Sequence, residues 1–213
     1  MRQLEGILIQ YLNAKDPKLV AKALDIYATI AQYKPDRLDE FEQRYLNLPK
    51  IHDKRNVLLR SKIGTLTKII IAYPERYWDF FEHLEKILTP EKDEESWTET
   101  TNLISNPEAL EKKIEESQVK TKKIDKVEII DQDRQEIEIK SDIALALGSI
   151  TANIDEETFT ESIFPHIIQL ITESHEEIKI ATLKSIILIA KTRGDIYEIP
   201  TFQLLLGKLM VDK

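Results

Sequence analysis

Residues 159–191 read FTESIFPHIIQLITESHEEIKIATLKSIILIAK, and the placement of apolar residues in this stretch decides the fold class. Phe159, Ile163, Ile167 and Leu170 recur at the spacing of one helical face. A polar turn from Glu173 to Glu177 interrupts them, and Ile178, Thr182, Ile186 and Ile189 resume the period. Two short amphipathic helices joined by a tight turn form a hairpin. Neither helix can bury its apolar face alone, so each needs a neighbour.

The same unit recurs towards the N-terminus. Leu4, Ile7, Leu8, Tyr11 and Leu12 make a first stripe, broken at Asn13–Pro17, where Asp16 suits an N-cap and Pro17 a first helical position. Val20, Ala23, Leu24, Tyr27, Ile30 and Ala31 complete the first pair. Pro35 opens a helix through Leu38, Phe41, Tyr45 and Leu46, and Asp53 leads into its partner through Leu59, Ile63, Leu66 and Ile70. Pro74 opens a third pair, with Tyr77, Phe81, Leu84 and Leu88 followed by a polar helix around Trp97, Thr101 and Ile104. Pro107, Leu110 and Ile114 begin a fourth, completed by Ile139, Ile143, Leu147 and Ile150. Taking Val20, Leu59, Trp97, Ile139 and Ile178 as equivalent, the intervals are 39, 38, 42 and 39 residues. A period of about 40 is that of a two-helix solenoid repeat.

These residues resemble the HEAT-repeat family. Ile163-Phe164-Pro165-His166-Ile167-Ile168-Gln169-Leu170-Ile171 is similar to the family's first helix with its internal proline, and Ile178-Lys179 to its Val-Arg opening of the second helix. Ile139-Lys140, Ile143-Ala144 and Leu147-Gly148 match the second helix again, while Trp97 and Thr101 depart from its small or aliphatic core. The resemblance spans nearly the whole chain. It implies an all-α fold: a right-handed α-α superhelix of about five helical pairs plus a C-terminal helix near Phe202–Met210, as one domain over 1–213.

A charged insertion at 118–138 (QVKTKKIDKVEIIDQDRQEIE) interrupts the period. Val127 and Ile129, then Ile137 and Ile139, alternate as short strands do, so a protruding hairpin stands beside a charged loop or an extended helix as alternatives.

Composition narrows the field. Five glycines and eight prolines in 213 residues are too few for the turns of an all-β fold. Without cysteine there is no disulfide, thiolate metal site or cysteine nucleophile. The first residues lack the apolar core of a signal peptide, and the apolar runs, such as Ile186–Ala190, fall short of the roughly 20 residues of a membrane span. A soluble cytoplasmic protein without a membrane association is the expectation.

No catalytic constellation emerges. The histidines His52, His83, His166 and His175 include no pair one helical turn apart. The HEAT-like deoxyhypusine hydroxylases hold two irons with several His-Glu dipeptides, but this chain has only His175-Glu176, in a turn. The glycines are scattered rather than gathered in a phosphate loop; Gly64 and Gly148 fall inside second helices, where close packing would need them. Trp78 lies in the aromatic run Tyr73, Tyr77, Trp78, Phe80, Phe81 and is expected to pack between repeats. Asp155 suits an N-cap, with Glu156 and Glu157 in the first turn. No cofactor or metal is called for.

Charge is unevenly spread. Residues 1–90 carry +3, 91–138 carry −7 and 139–213 carry −4, for a net −8. Lys18, Lys22, Arg55, Arg60, Lys62 and Lys68 fall on or beside N-terminal second helices, which line the concave face in HEAT-like solenoids. They are the candidate partner-binding residues. The expected function is a non-catalytic scaffold that binds a protein partner through its curved surface. The alternative is a nucleic-acid-binding protein. Within it, a HEAT-like alkylpurine DNA glycosylase would draw on Trp78, Asp79 and Trp97, with Arg55, Arg60 and Lys62 for phosphate contacts.

Overall fold

The computed structural model describes residues 2–51, 53, 55–88, 94–124, 131–173 and 175–211. Among these residues the chain is all-helical, without a strand. The single domain expected over 1–213 groups by its contacts into two compact units, Met1–Ile87 and Leu88–Lys213.

The first unit holds α1 (Arg2–Leu12), α2 (Pro17–Tyr33), α3 (Leu38–Leu46), α4 (Val57–Ala72) and α5 (Tyr77–Leu88). Asp16 caps α2 as expected, its carboxylate accepting the Lys18 N–H at 2.9 Å. Lys34-Pro35-Asp36-Arg37 and Tyr73-Pro74-Glu75-Arg76 end α2 and α4 in the same way. Lys34 is extended and Tyr73 likewise leaves the helical region, as residues before proline tend to, and one 3₁₀ turn then feeds the next helix. Tyr27, Phe41 and Phe80 form an aromatic row through the core, with centroids 6.2 Å apart at each step.

The second unit holds α6 (Glu94–Ser105), α7 (Pro107–Ile124), α8 (Asp131–Ile150), the single turn α9 (Glu156–Thr158), α10 (Phe164–Ile171), α11 (Glu176–Thr192) and α12 (Pro200–Val211). Asp155 caps α9, accepting the Thr158 N–H at 2.8 Å. Phe159–Ile163 is a π-helical turn just before Pro165. Proline has no N–H to give to the carbonyl four residues back, and the wider turn accommodates that break in the ladder. Phe159, Phe164 and Phe202 form an aromatic row of this unit's own, at 5.8 and 6.0 Å. A linear stack would give α12 only its immediate predecessors. Here α12 also packs on α7, and the Thr201 hydroxyl donates to Ile104 O of α6 at 2.7 Å.

Within each unit, two second helices lie side by side and bond at sequence offsets near 40. Ser61 Oγ donates to Ala21 O across 40 residues, and Tyr73 OH to Ala31 O across 42. In the α8–α11 seam, Ser185 Oγ donates to Ala144 O across 41 residues and Arg193 Nη1 to Thr151 O across 42. These offsets match the interval read from the apolar stripes.

Several expectations change. Ile137 and Ile139 lie in α8, so they belong to a helix and not to a strand; Val127 and Ile129 lie outside the described residues. Gln118–Ile124 and Asp131–Glu138 are likewise helical, as the ends of α7 and α8. Trp78 is 60% exposed rather than packed between repeats, while its neighbours Tyr77, Phe80 and Phe81 are buried. Ile7, Tyr11 and Leu46 are also exposed members of stripes expected to be core. Gly148 does permit close packing, against Ser185, but a Cβ on Gly64 would meet nothing within 4 Å.

Candidate functional site: the outer strip of α2 and α4

The buried line of α2, comprising Val20, Ala23, Leu24, Tyr27 and Ala31, leaves Lys18, Leu19, Lys22, Asp25, Ile26, Thr29 and Tyr33 outward. On α4, Ile63, Leu66, Ile69 and Ile70 are buried, leaving Arg60, Gly64 and Ile71 exposed. Because Ser61 bonds Ala21 and Tyr73 bonds Ala31, the two helices form one seam with this strip on its outer side.

The six basic candidates fare differently. Lys18 and Lys22 stand exposed one turn apart, and among the described residues no carboxylate pairs with either. Arg60 is exposed on α4. Arg55 is exposed in the turn before α4, where its backbone N–H bonds Asp53 Oδ1 at 3.2 Å. Asp53 also accepts the Leu58 N–H at 2.6 Å, and Asn56 takes a left-handed φ of 51°, so α4 begins from a fixed turn.

Lys68 and Lys62 are withdrawn from a free cationic patch. The Lys68 ammonium bonds Asp25 across the seam. Lys62 is half-buried, with Nζ 5.3 Å from the centroid of the Tyr45 ring on α3. Burial holds that ammonium below its ordinary pKa. His83 also lies against Tyr45, 5.5 Å from ring to ring; burial first, then Lys86, keeps its pKa below the usual imidazole value. Lys62 therefore serves the packing of α3 on α4.

The apolar residues of the strip were missed by the charge argument. Leu19, Ile26 and Tyr33 fall seven residues apart and are all exposed, with Ile71 exposed on α4. That spacing is visible in the sequence as a second apolar line beside the buried one. A surface mixing free lysines with half-exposed aliphatics favours an amphipathic ligand over a purely ionic one.

The residues raised for base excision are arranged otherwise. Trp78 and Asp79 lie on α5, and the Asp79 carboxylate is taken up by Arg76, which also reaches Asp39 at 3.0 Å and Glu42 at 3.6 Å on α3. The Trp97 side chain and His52 lie outside the described residues. In the second unit a cleft of about 90 Å³ is lined by Glu136, Ile137, Lys140, Glu173, His175 and Ile178. Substrate pockets run to about 300–1,000 Å³. Its one cation, Lys140, is consumed by Glu173 at 2.6 Å and Glu136 at 3.1 Å. Burial opposes the Lys140 charge, but those two carboxylates outweigh it and hold the ammonium above its ordinary pKa. Among the described residues no helix is long and apolar enough to cross a membrane, and no cluster of three or more His, Asp or Glu could hold a metal ion.

Comparison of the chain with protein-family models gave no match, and neither the curated proteins nor the solved structures yielded one.

Proposed function

We propose that the chain is a non-catalytic, HEAT-like helical-repeat scaffold whose second helices present a recognition strip to a protein partner. Within each unit the second helices bond at offsets of 40–42 residues, which supports a repeat of helical pairs. One observation carries the functional reading: Lys18 and Lys22 alternate with Leu19 and Ile26 on the exposed side of α2, without carboxylate partners among the described residues. The partner this fits is an acidic amphipathic segment, whose apolar side covers Leu19 and Ile26 while its carboxylates meet the lysines and Arg60. Capture from native extract by the intact chain, compared with a Lys18→Glu/Lys22→Glu variant, tests it. Loss of a retained protein in the variant is the expected result.

For a nucleic-acid role, Lys62 and Lys68 are already occupied, and Lys18, Lys22, Arg55 and Arg60 are the exposed members of the basic set. The net charge of −8 works against a polyanion, and half-exposed aliphatics on the strip contribute nothing to phosphate binding. The engagement of Asp79 by Arg76 disfavours it as a free catalytic carboxylate.

A further inference from the structure

The exposed line of α11 runs Glu177, Ile180, Lys184, Ile187, Leu188, Lys191. Ile180 and Ile187 are each 43% exposed and Leu188 38%, and Leu145 of α8, 43% exposed, adds to them across the seam. One such residue would be unremarkable; four along one helix seam make a patch that asks for a cover. Among the described residues neither Glu177 nor Lys191 makes an ion pair.

Two pairs of these residues are placed symmetrically about Lys184. Glu177 and Lys191 stand seven positions on either side of Lys184, and Ile180 and Leu188 stand four on either side. Turning the helix end for end about Lys184 therefore places Glu177 on Lys191, Lys191 on Glu177, and Ile180 on Leu188. We infer that α11 is a self-association face, on which a second copy of this chain docks antiparallel about a two-fold axis beside Lys184. Such an isologous contact gives two Glu177–Lys191 pairs flanking two Ile180–Leu188 contacts, with Ile187 and Leu145 widening the apolar centre.

The register is selective. Sliding the copy by four residues either sets Lys184 on Leu188 and Lys191 on Ala181, or sets Glu177 on Ile187 and Lys184 on Ile180. Either way charges fall on apolar side chains and both end pairs are lost. The one unfavourable element is Lys184 meeting its own symmetry mate. Its long stem lets the two ammonium groups diverge. A contact built on one helix and its neighbour lies at the small end of stable interfaces, so the dimer is a weak, micromolar one.

This inference is independent of the α2–α4 strip, and the test separates them. Sedimentation equilibrium of the intact chain over a micromolar concentration series is expected to show a monomer–dimer equilibrium. Glu177→Lys and Lys191→Glu, each converting both end pairs to repulsions, are expected to weaken it roughly tenfold. The combined swap restores it, and Leu188→Asp abolishes it with an unchanged circular dichroism spectrum. A chain that stays monomeric throughout would overturn the proposal. So would a dimer indifferent to both single reversals, or one broken by Lys22→Glu and not by Leu188→Asp.

Discussion

Gly148 of α8 lies so close to Ser185 of α11 that a Cβ built on the glycine would stand 2.7 Å from the serine Cβ and 2.8 Å from its Cα. The neighbour is partly backbone, so it cannot swing aside. Gly148→Ala is therefore expected to destabilise by about 1–3 kcal/mol, the cost of overpacking, despite alanine's better helix propensity. Gly64→Ala at an open helical position is expected to stabilise by about 0.4–1 kcal/mol. Urea denaturation of the two variants reads both signs, and destabilisation at Gly64 would show that α4 is not helical there.

Arg193, 8% exposed at the end of α11, spreads its guanidinium 4.9 Å from the Phe159 ring centroid and donates to Ile154 O at 2.5 Å and Thr151 O at 3.2 Å. Arg193→Leu strands both carbonyls and is expected to cost about 2–4 kcal/mol. Tyr73 plays the comparable part at the end of α4, donating to Ala31 O at 2.9 Å and Gln32 O at 3.0 Å. Tyr73→Phe keeps the ring and is expected to cost only about 0.5–1.5 kcal/mol. Equal losses would mean that the Arg193 contacts do not persist in solution.

The Asp155 carboxylate is held below its ordinary 3.8 by the Thr158 backbone N–H and then by the Thr158 hydroxyl. The unfolded chain takes up this proton more readily than the folded one. The cap's contribution is thus whole above the unfolded value and drains away as pH falls through the lower folded one. Asp155→Asn is expected to lower Tm at neutral pH, with the gap to the parent chain shrinking below pH 3.8. A gap that widened in acid would contradict the capping role.

Much of the fold was legible because a helix buries residues at a fixed period, and the offset of about 40 residues reappears in the Ser61–Ala21 and Ser185–Ala144 bonds. Asp16 and Asp155 mark their boundaries by local chemistry that needs no partner. Exposure was less legible. Trp78, Tyr11 and Leu46 lie at the edges of apolar stripes, where the period cannot say how wide the covering neighbour is. The candidate site lost Lys68 to Asp25, 43 residues away, and Lys62 to the Tyr45 ring on another helix. Such pairings depend on packing and leave no local signature. Nor does a two-residue match to a family motif say which lysines remain free.

Duplex DNA supplies a contrast for the α2–α4 strip. With at most four exposed cations on the basic set, binding is expected to be no tighter than about 10⁻⁴–10⁻⁶ M at physiological salt, with a log–log salt slope no steeper than about −4. Arg60→Glu is expected to remove most of it. Fluorescence anisotropy with a labelled duplex makes the measurement, and salt-resistant submicromolar binding would favour the nucleic-acid role.

The central claim is that Lys18 and Lys22, with Leu19 and Ile26 between and beside them, form a protein-docking strip. Its most direct test is affinity capture from nuclease-treated native extract with the intact chain and with the folded Lys18→Glu/Lys22→Glu variant, followed by measuring the affinity of the retained protein for each. The account predicts a discrete protein that binds the parent chain and at least tenfold less tightly the variant. Equal affinity for both chains, or capture that nuclease treatment abolishes, would contradict it.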